Sequence, residues 1–249
     1  MPVGPRRQKI LFNPQEVEPF RLSRSKIELF RRCPLCFYLD RRLGISLPPT
    51  PPYNLNIAVD HLLKKEFDLH RAKNTVHPLL KSYRLNALPF RHRDLDKWRD
   101  NFRGIEYYHQ PTNLIITGAP DDLWINSRGE LLVVDYKATS KSEEVTLDAP
   151  WQRSYKNQLE IYQWLFRRNG FLVAKTGYFV YVNGRRDKEA FDGKLEFDIK
   201  LIPYLGDDSW IEPALFEIKQ CLLADSPPRA DSQCSYCCYR QTVNRTLKK

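Results

Sequence analysis

The sequence predicts an α/β or mixed α+β fold, with a central mixed β-sheet flanked by helices. Two strand-like runs, Asn113–Asn126 and Glu130–Thr139, sit back to back in mid-chain and are joined by "SRG". Helical periodicity precedes and follows them, and two more strand-like runs come before a last helix. That order suits a sheet with helices packed on it. With 249 residues, 42% of them hydrophobic, the chain can bury a sizeable core and is not disordered.

Residues 1–20 read as an irregular lead-in and 21–249 as a single domain. Ser25 has the character of an N-cap. Helical spacing runs on to Leu43, with Ile27, Phe30, Phe37 and Leu43 toward a core. Pro34 must kink or restart that helix. "SLPPTPPYN" (46–54) is a stiff connector. Val59, Leu62, Leu63 and Phe67 recur at helical spacing between Ile57 and Ala72. A short helix is expected around Asp94–Phe102. The "SRG" turn makes the central runs an antiparallel hairpin. Gln152–Arg168 is amphipathic and ends at Asn169-Gly170. Thr176–Gly184 and Lys194–Tyr204 read as strands, and Trp210–Leu223 as a helix.

Charge inside the hairpin points to chemistry. Asp135 and Lys137 are two apart on a strand and so share a face. Leu131–Val134 is continuously apolar, the mark of a central strand covered on both sides. With Ser127–Gly129 as the loop, Asn126 falls opposite Glu130 and Asp121 opposite Asp135. Facing carboxylates repel, and a divalent cation taking oxygens from both relieves the repulsion. The alternative is structural: Asp121, Asp122 and Asp135 at solvated strand ends, with Lys137 paired to one of them. Gln158 and Tyr162, four apart on the next helix, share a face and suggest a second layer of the same site.

These residues resemble the motifs of the PD-(D/E)XK nuclease superfamily, in its RecB-like branch. That pattern is Gly-x-x-Asp on one strand, Asp-x-Lys on the next and Gln-x-x-x-Tyr on the following helix. The chain carries Gly118-Ala-Pro-Asp121, Asp135-Tyr-Lys137 and Gln158-Leu-Glu-Ile-Tyr162. His61 in "AVDHLLKKEFD" is similar to an early histidine of the branch, and Leu22–Gly44 resembles its opening helix. Many members carry Glu where Asp135 stands, and Asp is usual in this branch. The resemblance implies a restriction-endonuclease-like core and metal-dependent phosphodiester hydrolysis. It implies that Asp121 and Asp135 bind Mg²⁺ or Mn²⁺, with His61 and the Tyr136 carbonyl as further ligands. Lys137 orients water and stabilises charge on the phosphate, and Gln158 and Tyr162 position Lys137 or the DNA backbone.

Six cysteines are present. Cys33-Pro-Leu-Cys36 and Cys234-Ser-Tyr-Cys237 are two CxxC pairs, which favours a metal centre over coincidence: tetrahedral Zn²⁺ or an iron–sulfur cluster. Some RecB-like nucleases, among them helicase-associated and CRISPR-adaptation enzymes, staple their termini with a [4Fe-4S] cluster held by one early and three late cysteines. This chain has two and two. Cys238 is an alternative to Cys237, and Cys221 reads as a core residue.

The formal charge of +10 favours a phosphate-bearing partner. No apolar run reaches membrane length, and the N-terminus lacks the apolar segment of a signal peptide. The expectation is a cytoplasmic nuclease cutting DNA, as single strands or at ends, in repair, recombination or mobile-element defence, with a helicase or similar partner. The alternative is a catalytically silent nucleic-acid-binding module. The residues do not separate DNA from RNA.

Overall fold

Pro34 divides the first helical stretch in two. Helix α1 (Arg24–Arg32) stops before it and α2 (Pro34–Arg41) begins on it, because proline donates no N–H and sits well in a first turn. The structure, a computed structural model, describes residues 11–247, so residues 1–10 of the expected lead-in lie outside the described residues. Strand β1 (Phe20–Ser23) precedes α1, and Ser23, not Ser25, is the N-cap. After the proline-rich connector come α3 (Asn54–Lys73), α4 (Pro78–Ser82), β2 (Ala87–Pro89), α5 (Leu95–Trp98) and β3 (Ile105–His109). Then follow β4 (Leu114–Gly118), β5 (Asp122–Asn126), β6 (Leu131–Thr139), α6 (Arg153–Arg168), β7 (Thr176–Gly184), β8 (Phe197–Leu205), α7 (Ile211–Leu223) and α8 (Ser235–Leu247).

The fold is mixed α/β with helices flanking the sheets, as expected, but the described residues form two sheets, ordered β1–β4–β3 and β2–β5–β6–β7–β8. The expected strand Asn113–Asn126 is therefore two strands. β4 pairs in parallel with β1, and β5 pairs antiparallel with β6. The break falls at Ala119-Pro120-Asp121, where Pro120 has no N–H for a ladder.

The chain forms two compact units. Among the described residues, one comprises those up to Thr50, Tyr108–Thr117 and those from Ser209 to Leu247. Leu22, Ile27, Phe37, Leu114, Ile116, Leu215 and Ile218 are buried in it. The other comprises Pro51–Tyr107 and Gly118–Asp208. Its core gathers Phe67, Trp124, Leu132, Val134, Tyr136 and Val180, with the Phe67 and Trp124 rings stacked 5.1 Å apart. β6 lies at the centre of the five-stranded sheet, and every residue from Leu131 to Tyr136 is buried, which explains its unbroken apolar run. β6 and β7 are parallel and need a crossover, which α6 supplies.

Candidate active site and metal centre

The hairpin turn sets the site's register. Gly129 takes the left-handed conformation (φ +75°), and Asn126 Oδ1 accepts the Arg128 and Glu130 amides at 2.9 and 3.0 Å. The Asn126 amide donates to the Glu130 carbonyl at 3.1 Å, and Asp122 pairs with Val134. Continuing that register puts Asp121 level with Asp135, as the loop length predicts. Bonded positions alternate along an antiparallel ladder, so the even-numbered peptide groups of β6 face β5. Beyond Asp122, β5 has ended. The Tyr136 N–H and carbonyl therefore point to an open edge, where Asp121 Oδ2 accepts the N–H at 2.7 Å.

Asp135 is fully buried and forms an ion pair with Lys137. From Lys137 the contacts pass to α6: Lys137 Nζ donates to Gln158 Oε1 at 3.4 Å, and Gln158 Nε2 donates to the Tyr162 hydroxyl at 3.2 Å. Lys137 Nζ also sits 4.6 Å from the centre of the Tyr155 ring. Burial works against the ammonium, but Asp135 and then Asp121 outweigh it and hold the Lys137 pKa above its ordinary value. Lys137 is thus a cation and hydrogen-bond donor at neutral pH. The structure brings Asp121, Asp135, Lys137, Gln158 and Tyr162 into one continuous set of contacts.

Asp122 is not a solvated strand-end residue. It is fully buried, paired with Arg71 from α3, and accepts from the Tyr136 hydroxyl at 2.9 Å and from Trp124 Nε1 at 3.3 Å. The same helix brings residues that sequence reading missed. Lys64 Nζ lies 2.9 Å from Asp60 Oδ2 and 3.7 Å from Asp121 Oδ1. Asp60, Lys64 and Arg71 recur at helical spacing on one face, a signal hidden because charged residues on a helix usually read as its wet side. His61, one position on, points about 100° away and is exposed. Among the described residues it does not join Asp121 and Asp135 in a group whose donor atoms lie within 4.8 Å of one another; the four cysteines do.

Cys33, Cys36, Cys234 and Cys237 are all buried. Their sulfurs stand 3.8 Å apart for Cys33–Cys237, 3.7 Å for Cys36–Cys234 and 3.6 Å for Cys36–Cys237. Pro34 opens α2, placing Cys33 at its N-cap and Cys36 in its first turn, while Cys237 lies in the first turn of α8. Cys238 is exposed and lies outside the cluster. Cys221 is half-buried rather than in the core, and burial raises its pKa to about 11.

Residues 57–242 match the family profile of the PD-(D/E)XK nuclease superfamily. The chain belongs to that superfamily. No curated protein matches the chain. Among solved structures, the crystal structure of SSO0001 is similar over 92% of this chain and 87% of its own, at 20% identity and a TM-score of 0.43, too low to bear on fold or function.

Membership of the PD-(D/E)XK superfamily makes nucleic acid the class of substrate and a nuclease the class of activity. Members generally depend on divalent metal. The Asp121 and Asp135 carboxylates and the Tyr136 carbonyl offer oxygen donors, the kind that suits a hard cation such as Mg²⁺ or Mn²⁺. Lys64 and Lys137 supply balancing positive charge beside the two carboxylates. The four cysteines offer an all-sulfur set suited to a different metal.

Proposed function

We propose that this chain is a metal-dependent nuclease of the RecB-like branch that hydrolyses phosphodiester bonds of DNA, in single strands or at ends. The observation that carries the reading is the contact series from Asp121 through the Tyr136 amide, Asp135, Lys137 and Gln158 to Tyr162. Asp121, Asp135 and the Tyr136 carbonyl would hold Mg²⁺ or Mn²⁺, which when bound polarises the scissile phosphate and lowers the pKa of water. Lys137, kept protonated by the acids, donates to the phosphate oxygen on which charge grows. Gln158 and Tyr162 hold the Lys137 ammonium in place, and Asp122 with Arg71 fixes the Tyr136 side chain. A protein that only binds has no need of a lysine held between two acids, which disfavours a catalytically silent module. The His61 side chain is exposed, so it is the weakest candidate in the ligand set.

The four-cysteine centre is read as a Zn²⁺ site. A regular tetrahedron with zinc–sulfur bonds of about 2.3 Å has sulfur–sulfur edges of about 3.8 Å. Three of the six sulfur–sulfur separations, at 3.6–3.8 Å, fit that figure, and all four sulfurs lie within 4.8 Å of one another. A four-iron cluster keeps its thiolates farther apart, because iron and sulfide lie between them. Zinc would then tie the early and late segments of the first compact unit together. Reduced thiols suit a cytoplasmic setting. Repair, recombination or mobile-element defence, with a helicase as partner, is where unpaired DNA arises.

The test is cleavage of labelled single-stranded DNA in Mn²⁺, Mg²⁺ or EDTA. Metal-dependent product with free 5′ or 3′ ends supports the reading. Tight binding without cleavage in any divalent metal would assign the chain to the silent module instead.

A further inference from the structure

Trp151 is 54% exposed, although tryptophan normally buries most of its surface. It lies just before α6, and its ring meets that of Tyr155 edge-on, 5.4 Å between centres at 86°. Each ring carries a lysine: Lys141 Nζ is 5.4 Å from the centre of Trp151, and Lys137 Nζ is 4.6 Å from that of Tyr155. A line of cation, ring, ring and cation thus ends on the lysine assigned to chemistry. Tyr53, 73% exposed, stands at the start of α3. Asn56 Nδ2 donates to the Ala138 carbonyl at 2.8 Å and holds that end of the helix against the end of β6.

Beyond Lys141 opens a hollow of about 410 Å³ lined by Lys141, Ser142, Asn183, Arg185 and Arg186, with Asp187 and Asp198. Its walls are tied together. The Lys141 amide donates to Asn183 Oδ1 at 2.8 Å, and Arg186 Nη2 donates to Ser142 Oγ at 2.6 Å. Arg185 is balanced by Asp187, and Lys141 and Arg186 outnumber the remaining Asp198, so they carry the basic character of the hollow.

We infer that Trp151, flanked by Lys141 and Tyr155, is a stacking platform for an unpaired nucleobase of single-stranded DNA, with the backbone phosphates running along Lys141 and Arg186 toward Lys137. This rests on the nuclease reading above and names its substrate. An exposed indole offers a flat face to any base, and stacking tolerates every sequence. A base inside a duplex has both faces covered by its neighbours and cannot use the platform. The flanking lysines meet the phosphates that accompany the base.

The experiment measures binding of a fluorescein-labelled oligothymidylate, a blunt duplex of the same length, and an oligothymidylate with abasic positions, all in Ca²⁺ to suppress cleavage. Wild type is expected to prefer the single strand, and removing bases should weaken it. Trp151→Ala should weaken single-strand binding by roughly five- to 150-fold and Trp151→Phe much less, with duplex binding unchanged. Equal affinity of wild type for the intact and abasic strands overturns the platform, with no variant needed. So does Trp151→Ala protein that is folded by circular dichroism and binds the single strand like wild type. Cleavage in Mn²⁺ is scored separately. Trp151-dependent binding without cleavage would leave the platform standing and sink the nuclease reading.

Discussion

Gly118 lies against the ring of Tyr162, so closely that a β-carbon at residue 118 would stand 2.7 Å from Tyr162 Cε1 and 3.0 Å from Leu165 Cδ1. The first and last residues of the three sequence motifs are therefore in contact. Glycine is required at 118 by space, because the ring that holds Gln158 passes directly over it. Gly118→Ala is expected to cost about 1–3 kcal/mol by overpacking and to displace Tyr162 from Gln158. Urea melts would show the first, and a fall in DNA cleavage larger than any fall in binding the second. Wild-type stability and activity in this variant would contradict the contact.

Lys137→Ala is expected to lower cleavage of single-stranded DNA at least about a hundred-fold, the scale for losing a preorganised donor, while binding changes little. The comparison of rate with affinity in Mn²⁺ checks it. Equal cleavage by the variant would remove Lys137 from the chemistry.

Arg71→Met leaves the fully buried Asp122 without its guanidinium partner. Stranding a buried charge in this way costs about 3–5 kcal/mol. Denaturant midpoints should fall accordingly, and Arg71→Met combined with Asp122→Asn should recover part of the loss. If the double variant is as unstable as the single one, the cost lies in packing and not in charge.

His77 makes stability pH-dependent. Its Nδ1 accepts the Leu79 amide at 3.1 Å and caps α4, and its Nε2 lies 2.9 Å from Glu66 Oε1. Its ring stacks on Phe67 at 4.0 Å. Burial pushes its pKa down more than Glu66 pulls it up. The unfolded chain therefore takes up the proton first. The stabilisation is present above the ordinary histidine pKa of about 6.5 and is lost as pH falls through it toward the lower folded value. His77→Asn keeps a cap that does not titrate, so its melting temperature should fall less than that of wild type on acidification over this range.

Cys33→Ser is expected to lose bound zinc and several kcal/mol of stability, since structural zinc contributes directly to folding. Metal analysis and thermal melts with and without a strong chelator test this. Co²⁺ substitution should give the visible bands of tetrahedral thiolate coordination. A brown protein containing iron and sulfide would refute the zinc assignment.

Much of the frame was legible because particular residues had little freedom. Leu131–Val134 pointed to a covered strand, Pro34 had to kink or restart a helix, and the length of the "SRG" loop pointed to the pairing of Asn126 with Glu130. The change of sheet at Pro120 was not legible, because apolar residues on both sides read as one strand. Strands β2 and β3 were missed for being short, three and five residues, too few for alternation to show. Asp60, Lys64 and Arg71 were hidden by a helix pattern that usually means solvent. Arg71 and Asp122, 51 residues apart, become partners only when α3 is laid against β5.

Cys33 and Cys237 stand 204 residues apart in the chain yet belong to one cluster. During synthesis the early thiol pair must therefore wait for the late pair, roughly ten to forty seconds at ribosomal speeds. In that interval Cys33 and Cys36 have each other but not the two late thiols that complete the cluster. A chain stalled or truncated before residue 234 would keep that half-built cluster permanently.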